Sequence, residues 1–275
     1  MANPQGDVLL DETIREGVIA LAQAAAADIL EIYDRGFEVE TKADDSPLTA
    51  ADLASHRRIV AGLQRLTPDI PVLSEESAEL PVAERRAWTR LWLVDPLDGT
   101  REFIKRNGEF TVNIALIEDG VATFGVIQAP VQDTLWWGDR AHGAYVRRDG
   151  GETALETRVP AIAPLRVAAS RSHRDARTEA FMARMTADTG EIETIGVGSS
   201  LKFCRVAEGL IDLYPRFGPT SEWDTAAGQA IVEAAGGRVL DPQCRPFRYN
   251  QRDTLLNGDF IALGDVRLPW ASWCG

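Results

Sequence analysis

The sequence predicts an α+β first half followed by an α/β second half, built as stacked layers of helix and sheet. Three observations carry that prediction. Apolar residues recur at helical spacing in two stretches near the start. A β-rich run follows from Leu91 to Val146. Strands then alternate with helices beyond Val159 to Pro164, where two prolines interrupt both helix and sheet. The 275 residues suit one large domain or two closely packed halves, and the prolines place the division at residues 1–160 and 161–275.

The elements follow in order. Ile14, Val18, Leu21, Ala25, Ile29 and Ile32 fall at three- and four-residue intervals, which predicts a helix from Asp11 to Arg35 with Asp11 as N-cap and Gly36 as its stop. Phe37 to Thr41 reads as a short strand. Thr49 to Leu66 reads as a second helix, with Thr49 and Asp52 in capping-box spacing and Pro68 just past its end. Ile70 to Leu73 and Leu91 to Val94 are short apolar strands. Phe110 to Ile117 and Val121 to Gln128 make a hairpin across Asp119-Gly120, and Leu135 to Trp137 and Ala144 to Val146 continue the sheet. Beyond the prolines come a strand at Arg166 to Ala169, a helix at Asp175 to Met185, a strand at Glu193 to Val197 and a helix at Ser199 to Glu208. A strand at Ile211 to Tyr214 and a helix at Asp224 to Ala235 complete the alternation.

Charge and cysteine content exclude several functions. The formal net charge of -13 repels phosphate backbones, so nucleic acid is not an expected partner. Cys204, Cys244 and Cys274 have no metal-type spacing and read as free thiols of a reducing compartment. The start of the chain carries Asp7, Asp11 and Glu12 instead of an apolar leader, and the longest apolar stretch, Ala20 to Leu30, is broken by Gln23 and Asp28. The expectation is a cytoplasmic protein without a transmembrane segment. Peripheral attachment at the inner membrane stays open, and nothing specifies an oligomeric state.

The chemistry is concentrated in Leu91-Trp-Leu-Val-Asp95-Pro-Leu-Asp98-Gly-Thr100. An apolar strand delivers Asp95 at its end, and Pro96 and Gly99 shape a tight turn. Two carboxylates and the Leu97 carbonyl then face one concavity, the oxygen donor set that hard cations such as magnesium prefer. Gly99 and Thr100 open a short helix whose amides can meet a phosphate. A lone Asp-x-x-Asp is more often an ordinary acidic turn. Two further acidic positions at element ends shift that balance. Glu75-Glu76 follows the strand before it, although adjacent glutamates are usually a solvated loop, and Asp224 opens a helix, where by itself it reads as an N-cap. Ser199 or Ser200 can cap the helix beside Gly198 and make an anion site, with Lys202 in its first turn. His56 and His142 read as surface or structural.

Glu75-Glu76, Asp95-Pro-Leu-Asp98-Gly-Thr100 and Trp223-Asp224-x-Ala-Ala-Gly228, in that order, resemble the inositol monophosphatase superfamily over nearly the whole chain, from about Ile14 to Phe260. Within it, the run from Asp98 to Leu116 is similar to the bacterial bisphosphate nucleotidases. So are Ser170-Arg-Ser-His173, Gly198 to Cys204 and Leu213 to Pro219. The resemblance implies a layered αβαβα sandwich of the sugar-phosphatase type. It also implies a magnesium-dependent, lithium-sensitive phosphatase using two or three ions, acting on a small phosphorylated nucleotide in sulfate assimilation. By the same resemblance, Glu75, Asp95 and the Leu97 carbonyl hold a first ion, Asp95, Asp98 and Asp224 a second, and Glu75 a weaker third. Thr100 and Asp52 polarise and orient the attacking water, with Asp52 also in its capping box. Gly99 and Thr100 bind phosphate, and His173, Ser199, Lys202 and Arg216 hold the nucleotide. Arg101 stands where close relatives often have lysine. The alternatives are the same chemistry on another small phosphorylated metabolite such as inositol monophosphate, an inactive sensor of such metabolites, and a structural partner.

Overall fold

The computed structural model describes residues 10–36, 38–41, 47–169 and 176–274. The first helix, α1 (Glu12–Arg35), starts where the Asp11 carboxylate accepts the Thr13 N–H, and stops at Gly36, whose φ of +90° a side chain would resist. A two-stranded ribbon, β1 (Val39–Thr41) and β2 (Pro47–Thr49), leads into α2 (Ala50–Leu66). Phe37, assigned by the sequence to the first strand, lies outside the described residues. Among the described residues, no helix is long and apolar enough to cross a membrane.

The large sheet comprises β3 (Val72–Ser74), β4 (Arg90–Asp98), β5 (Thr111–Glu118), β6 (Val121–Ala129), β7 (Thr134–Asp139), β8 (Gly143–Arg148) and β9 (Gly151–Leu155), neighbours in that order. Only β3 and β4 run parallel; the rest form an antiparallel meander. Between β3 and β4 lie a 3-10 turn, Glu75–Ser77, and α3 (Val82–Arg86), and α4 (Thr100–Ile104) follows β4. The smaller sheet has the order β11 (Ile192–Ile195), β10 (Leu165–Ala168), β12 (Leu213–Arg216), β14 (Phe260–Leu263), β13 (Arg238–Leu240). It is parallel over β11, β10 and β12 and antiparallel beyond, so the second half is a mixed sheet with one antiparallel edge. Its helices are α5 (Ala176–Thr189), α6 (Leu201–Ala207), α7 (Glu222–Ala234) and α8 (Trp270–Cys274).

Three apolar layers stack these parts. Val18, Ala22 and Ile29 of α1 and Ile59 and Leu63 of α2 pack on the outer face of the large sheet, against Trp92, Ile114, Phe124 and Val126. Its other face, with Leu93, Ala115 and Trp136, meets Phe203 of α6 and Ala227, Ala230 and Ile231 of α7, which also cover Tyr214 and Phe260 of the small sheet. The far side of the small sheet packs Val167 and Leu263 against Phe181 of α5 and Trp273 of α8. The order is therefore helix, sheet, helix, sheet, helix. The large sheet ends at Leu155 and the small one begins at Leu165, on either side of the proline segment.

Several expected boundaries move. The strand placed at Ile70 to Leu73 begins at Val72, because Ile70 is still turning, its N–H bonded to the Thr67 carbonyl. The one placed at Ile211 to Tyr214 begins at Leu213, because the Ile211 N–H closes the end of α6 on the Arg205 carbonyl. The strand placed at Leu91 to Val94 continues to Asp98. Asp95 pairs with Asn113 and Asp98 with Thr111, so Pro96 and Leu97 oppose a single residue in a bulge. A bulge is where a strand tolerates proline, which has no N–H for the ladder. The tight turn assigned to Pro96 and Gly99 is this bulge followed by Gly99 at φ +91°.

Helix α7 sits on β6 at a glycine. A Cβ on Gly125 would lie 2.4 Å from the Ala227 carbonyl oxygen, a backbone atom that cannot step aside. Gly125→Ala should therefore destabilise the protein by about 1–3 kcal/mol, read as a lower denaturation midpoint in urea. An unchanged midpoint would mean that α7 does not rest on β6 at this point.

A candidate metal centre and its cleft

Asp95, Asp98 and Asp224 each offer a carboxylate oxygen to one group whose atoms all lie within 4.8 Å of one another. Each is held by one backbone N–H. Leu97 donates to Asp95 Oδ1 at 3.0 Å, Ser200 to Asp98 Oδ2 at 2.6 Å and Ser221 to Asp224 Oδ2 at 2.8 Å. Among the described residues, the second oxygen of each accepts no hydrogen bond. Asp224 is thus the third residue of α7, bonded back to the N-terminal Ser221, and not the N-cap that the sequence suggested. Glu75 lies beside Asp95, because β3 and β4 run parallel with Ser74 opposite Val94.

The electrostatics are unfavourable without a cation. Burial, then the charges of Glu75, Asp98 and Asp224, push Asp95 far above the usual carboxylate range. Burial, with Asp98 next, pushes Asp224 up to about 8. Like charges this close, out of water, cannot all stay ionised unless positive charge joins them. The free oxygens are all hard donors, and no thiol or imidazole belongs to the group. The residues therefore fit a hard divalent cation such as magnesium. The Leu97 carbonyl is a further oxygen, in weak contact with the Thr100 hydroxyl at 3.4 Å.

Asp52 carries both of the jobs its position suggested, on separate oxygens. Oδ2 accepts the Thr49 N–H at 2.8 Å and the Thr49 hydroxyl at 2.6 Å, and Oδ1 accepts the Thr100 hydroxyl at 3.2 Å. Two neighbours on α2 that sequence reasoning gave no site role also face the acidic segments. The Ser55 hydroxyl donates to the Pro96 carbonyl at 2.7 Å, and His56 Nδ1 lies 2.9 Å from the Ser74 hydroxyl, next to Glu75. Their spacing from Asp52 on one helix is the signal that could have found them. His142 has a structural partner, Asp139, at the β7–β8 turn. Beneath Gly99 and Thr100, Phe103 packs with Tyr33 and Phe110 at ring separations of 5.1 Å each, which anchors α4 to α1 and β5.

A cleft of about 940 Å³ opens on Asp98 and Asp224, and Ser199, Lys202, Arg216 and Arg101 line its walls. Gly99, Thr100 and Glu75 are half-buried, and Asp52, Asp95 and Leu97 are buried. Among the described residues, Arg216 Nη2 donates to the Pro219 carbonyl at 3.1 Å while its buried Nε has no hydrogen-bond partner. His173 lies outside the described residues.

The helix-capping anion site expected at Ser199 or Ser200 is not formed. Helix α6 begins at Leu201, and neither hydroxyl caps it. The anion at that turn is the protein's own Asp98, which takes the Ser200 N–H and the Ser199 hydroxyl, each at 2.6 Å. Ser199 adopts φ +50°, a left-handed conformation that costs a side chain about 1–2 kcal/mol and is held here by these bonds. Lys202 Nζ turns back to the Ser199 carbonyl at 2.9 Å and lies 5.3 Å from the Tyr214 ring centre.

Comparison with known proteins places this geometry. Residues 10–263 match the inositol monophosphatase family. The chain is 50% identical over 246 residues to a 3'(2'),5'-bisphosphate nucleotidase CysQ of Escherichia coli O6:H1, covering 88% of this chain and 96% of that protein. The crystal structure of CysQ from Bacteroides thetaiotaomicron, a bacterial member of the inositol monophosphatase family, has a TM-score of 0.81 at 42% identity, over 94% of this chain and 99% of its own. An inositol monophosphatase from Zymomonas mobilis has a TM-score of 0.77 at 28% identity, over 98% and 99% of the two chains.

Lys202 is costly to the fold. Burial, partly offset by Asp98 and reinforced by Arg216, lowers its pKa from 10.5 to about 8. Below pH 8 the lysine is charged in both folded and unfolded chains, and the folded state bears the full cost. As pH rises from 8 towards 10.5 the folded state sheds its proton first and the cost fades. Lys202→Met should therefore be more stable than the parent at pH 7, by on the order of 1 kcal/mol, with the gap closing above pH 8. Urea denaturation across that range checks it; a variant less stable at pH 7 would contradict it.

Proposed function

The chain belongs to the inositol monophosphatase family, and on that premise we propose that it is a magnesium-dependent bisphosphate nucleotidase, removing the 3'-phosphate of adenosine 3',5'-bisphosphate to leave AMP in sulfate assimilation. The observation that carries the substrate choice is the composition of one cleft, where Lys202 and Arg216 share a wall region with Asp98 and Asp224. A bisphosphate brings two anionic groups. The acidic cluster with its cations serves the one being hydrolysed, and the other needs fixed positive charge, which a surface of net charge -13 does not otherwise offer. The naming of relatives at about 50% identity as bisphosphate nucleotidases supports the same reading.

In this reading Glu75, Asp95 and the Leu97 carbonyl would hold one magnesium ion and Asp95, Asp98 and Asp224 another, and Glu75 would contribute to a weaker third. Bound, the ions supply Lewis-acid stabilisation of phosphoryl oxygens and a more acidic water. The chain's own residues do the rest. Asp52 Oδ1 accepts a hydrogen bond from the Thr100 hydroxyl, which leaves the threonine oxygen's lone pairs to accept a hydrogen bond from the attacking water and orient it. The amides of Gly99 and Thr100 receive the phosphoryl oxygens as α4 begins. Lys202 and Arg216 hold the nucleotide's second phosphate, Ser199 contributes to the phosphate region through its backbone while its hydroxyl stays on Asp98, and His173 stands beside the nucleotide. Arg101 keeps the charge of the lysine often found there, with a different donor geometry.

Phosphate release from a substrate panel, with and without magnesium, tests the reading. Adenosine 3',5'-bisphosphate should be the preferred substrate over inositol 1-phosphate, activity should require the metal, and lithium should inhibit. Preference for inositol phosphate would overturn the substrate assignment. Thr100→Ala should lower kcat far more than it changes KM; a change confined to melting temperature would leave Thr100 a structural residue. A charge-assisted contact contributes about 1.5–3 kcal/mol. Lys202→Ala should therefore raise KM for the bisphosphate roughly tenfold or more, with much less effect on a monophosphate. Equal losses on both would remove Lys202 from the second phosphate.

A further inference from the structure

Behind Asp98 lies a polar cluster that the proposed chemistry does not use. Thr111 and Asn113, side by side on one face of β5, are 0% and 1% exposed in an otherwise apolar strand. The Thr111 hydroxyl lies 2.7 Å from the Ser199 hydroxyl, 2.7 Å from the Ser200 hydroxyl and 3.0 Å from the Asn113 side-chain amide. Ser200 Oγ is 2.8 Å from the same amide, and Ser199 Oγ donates to Asp98 Oδ2 at 2.6 Å, with a longer branch of 3.2 Å to the Asp98 carbonyl.

These five short contacts need five protons, and the three hydroxyls supply only three. With the Asn113 carbonyl oxygen turned to the hydroxyls, the count fails and Nδ2 is left buried without a partner. Turned over, Nδ2 supplies the two missing protons, one to Thr111 and one to Ser200, and the chain of donation has a single direction. The Ser200 and Asn113 protons go to Thr111, the Thr111 proton to Ser199, and the Ser199 proton to Asp98.

We propose that Thr111 is a positioning residue for Asp98. Oriented by Asn113 and Ser200, its hydroxyl donates to Ser199 and obliges Ser199 to spend its own proton on Asp98 Oδ2. That oxygen is thereby fixed, the other is aimed at the cation, and the left-handed turn that also receives Lys202 is locked. This rests on the cation reading of the site. Hydrogen-bond partners of metal ligands typically account for 10–100-fold in metal affinity, and here the partner acts through one intermediary.

The test is magnesium binding to the full-length protein without substrate, by calorimetry and by the thermal shift on adding the ion. Thr111→Val should weaken binding roughly tenfold, and Thr111→Ser, which keeps the hydroxyl, should restore it. Ser199→Ala should weaken binding at least as much, and Thr111→Val combined with it should lose nothing more, because the two act in series. Unchanged binding in Thr111→Val, equal loss in Thr111→Ser, or additive losses in the double variant would each overturn the proposal. Should Thr111→Val fail to fold, Thr111→Ala is read in the same way. A parent protein that binds no magnesium would instead overturn the cation reading of the site.

Discussion

Negative charge that cannot be dispersed is the constraint around which this molecule is arranged. Three aspartates offer oxygens within 4.8 Å of one another, with Glu75 adding its field; Asp95 is buried, and Asp98 and Asp224 are half-buried on the lining of the cleft, so water solvates them only in part. The fold answers in two ways. It gives each aspartate one backbone N–H, which fixes its orientation and neutralises part of its charge, and it leaves the other oxygen for a cation. Those three N–H groups come from a strand bulge, from the turn before α6 and from the N-cap of α7. The site therefore depends on the docking of all three, not on any one motif.

The same need explains the supporting residues. The bulge at Pro96 and Leu97 is held from below by Ser55, and α2, which carries Ser55, also carries Asp52 and His56 to neighbouring site segments. Helix α2 is in turn secured by the capping box that Asp52 completes. The cleft gathers positive charge that the chain as a whole lacks. On a chain of net charge -13, Arg101, Lys105, Lys202 and Arg216 line it together with Asp98, Glu102, Glu109 and Asp224. A cation held by the carboxylates would tip that balance towards an anionic ligand.

What the sequence made legible is what local chemistry decides. The Thr49–Asp52 box, the Asp11 cap and the Asp119-Gly120 hairpin are set by residues a few positions apart, and each stands where the pattern put it. Asp149-Gly150 carries the same turn signal, but β9 after it, Gly-Glu-Thr-Ala-Leu, has no apolar face and went unread. The rest was hidden because its partners are distant. Strand β4 runs past Pro96 because β5 accommodates a bulge. Ser199 and Ser200 look like helix caps until Asp98, some hundred positions earlier, claims them. Thr111 and Asn113, polar residues inside an apolar strand, had no partner that the sequence could name, because they are buried against that same distant turn. The acidic cluster was recoverable only because three weak motifs recur together; no single spacing would have joined Asp224 to Asp95.

Helix α7 lies in the middle layer, between the two sheets, and it brings Asp224 to carboxylates presented by the first sheet. This has a bearing on biosynthesis. Strand β4, which presents Asp95 and Asp98, is synthesised well before residue 224, so the third carboxylate is the last of the three to be made. A chain truncated before α7 would carry the first two aspartates without the third, and the cluster is complete only where the second half of the chain packs on the first.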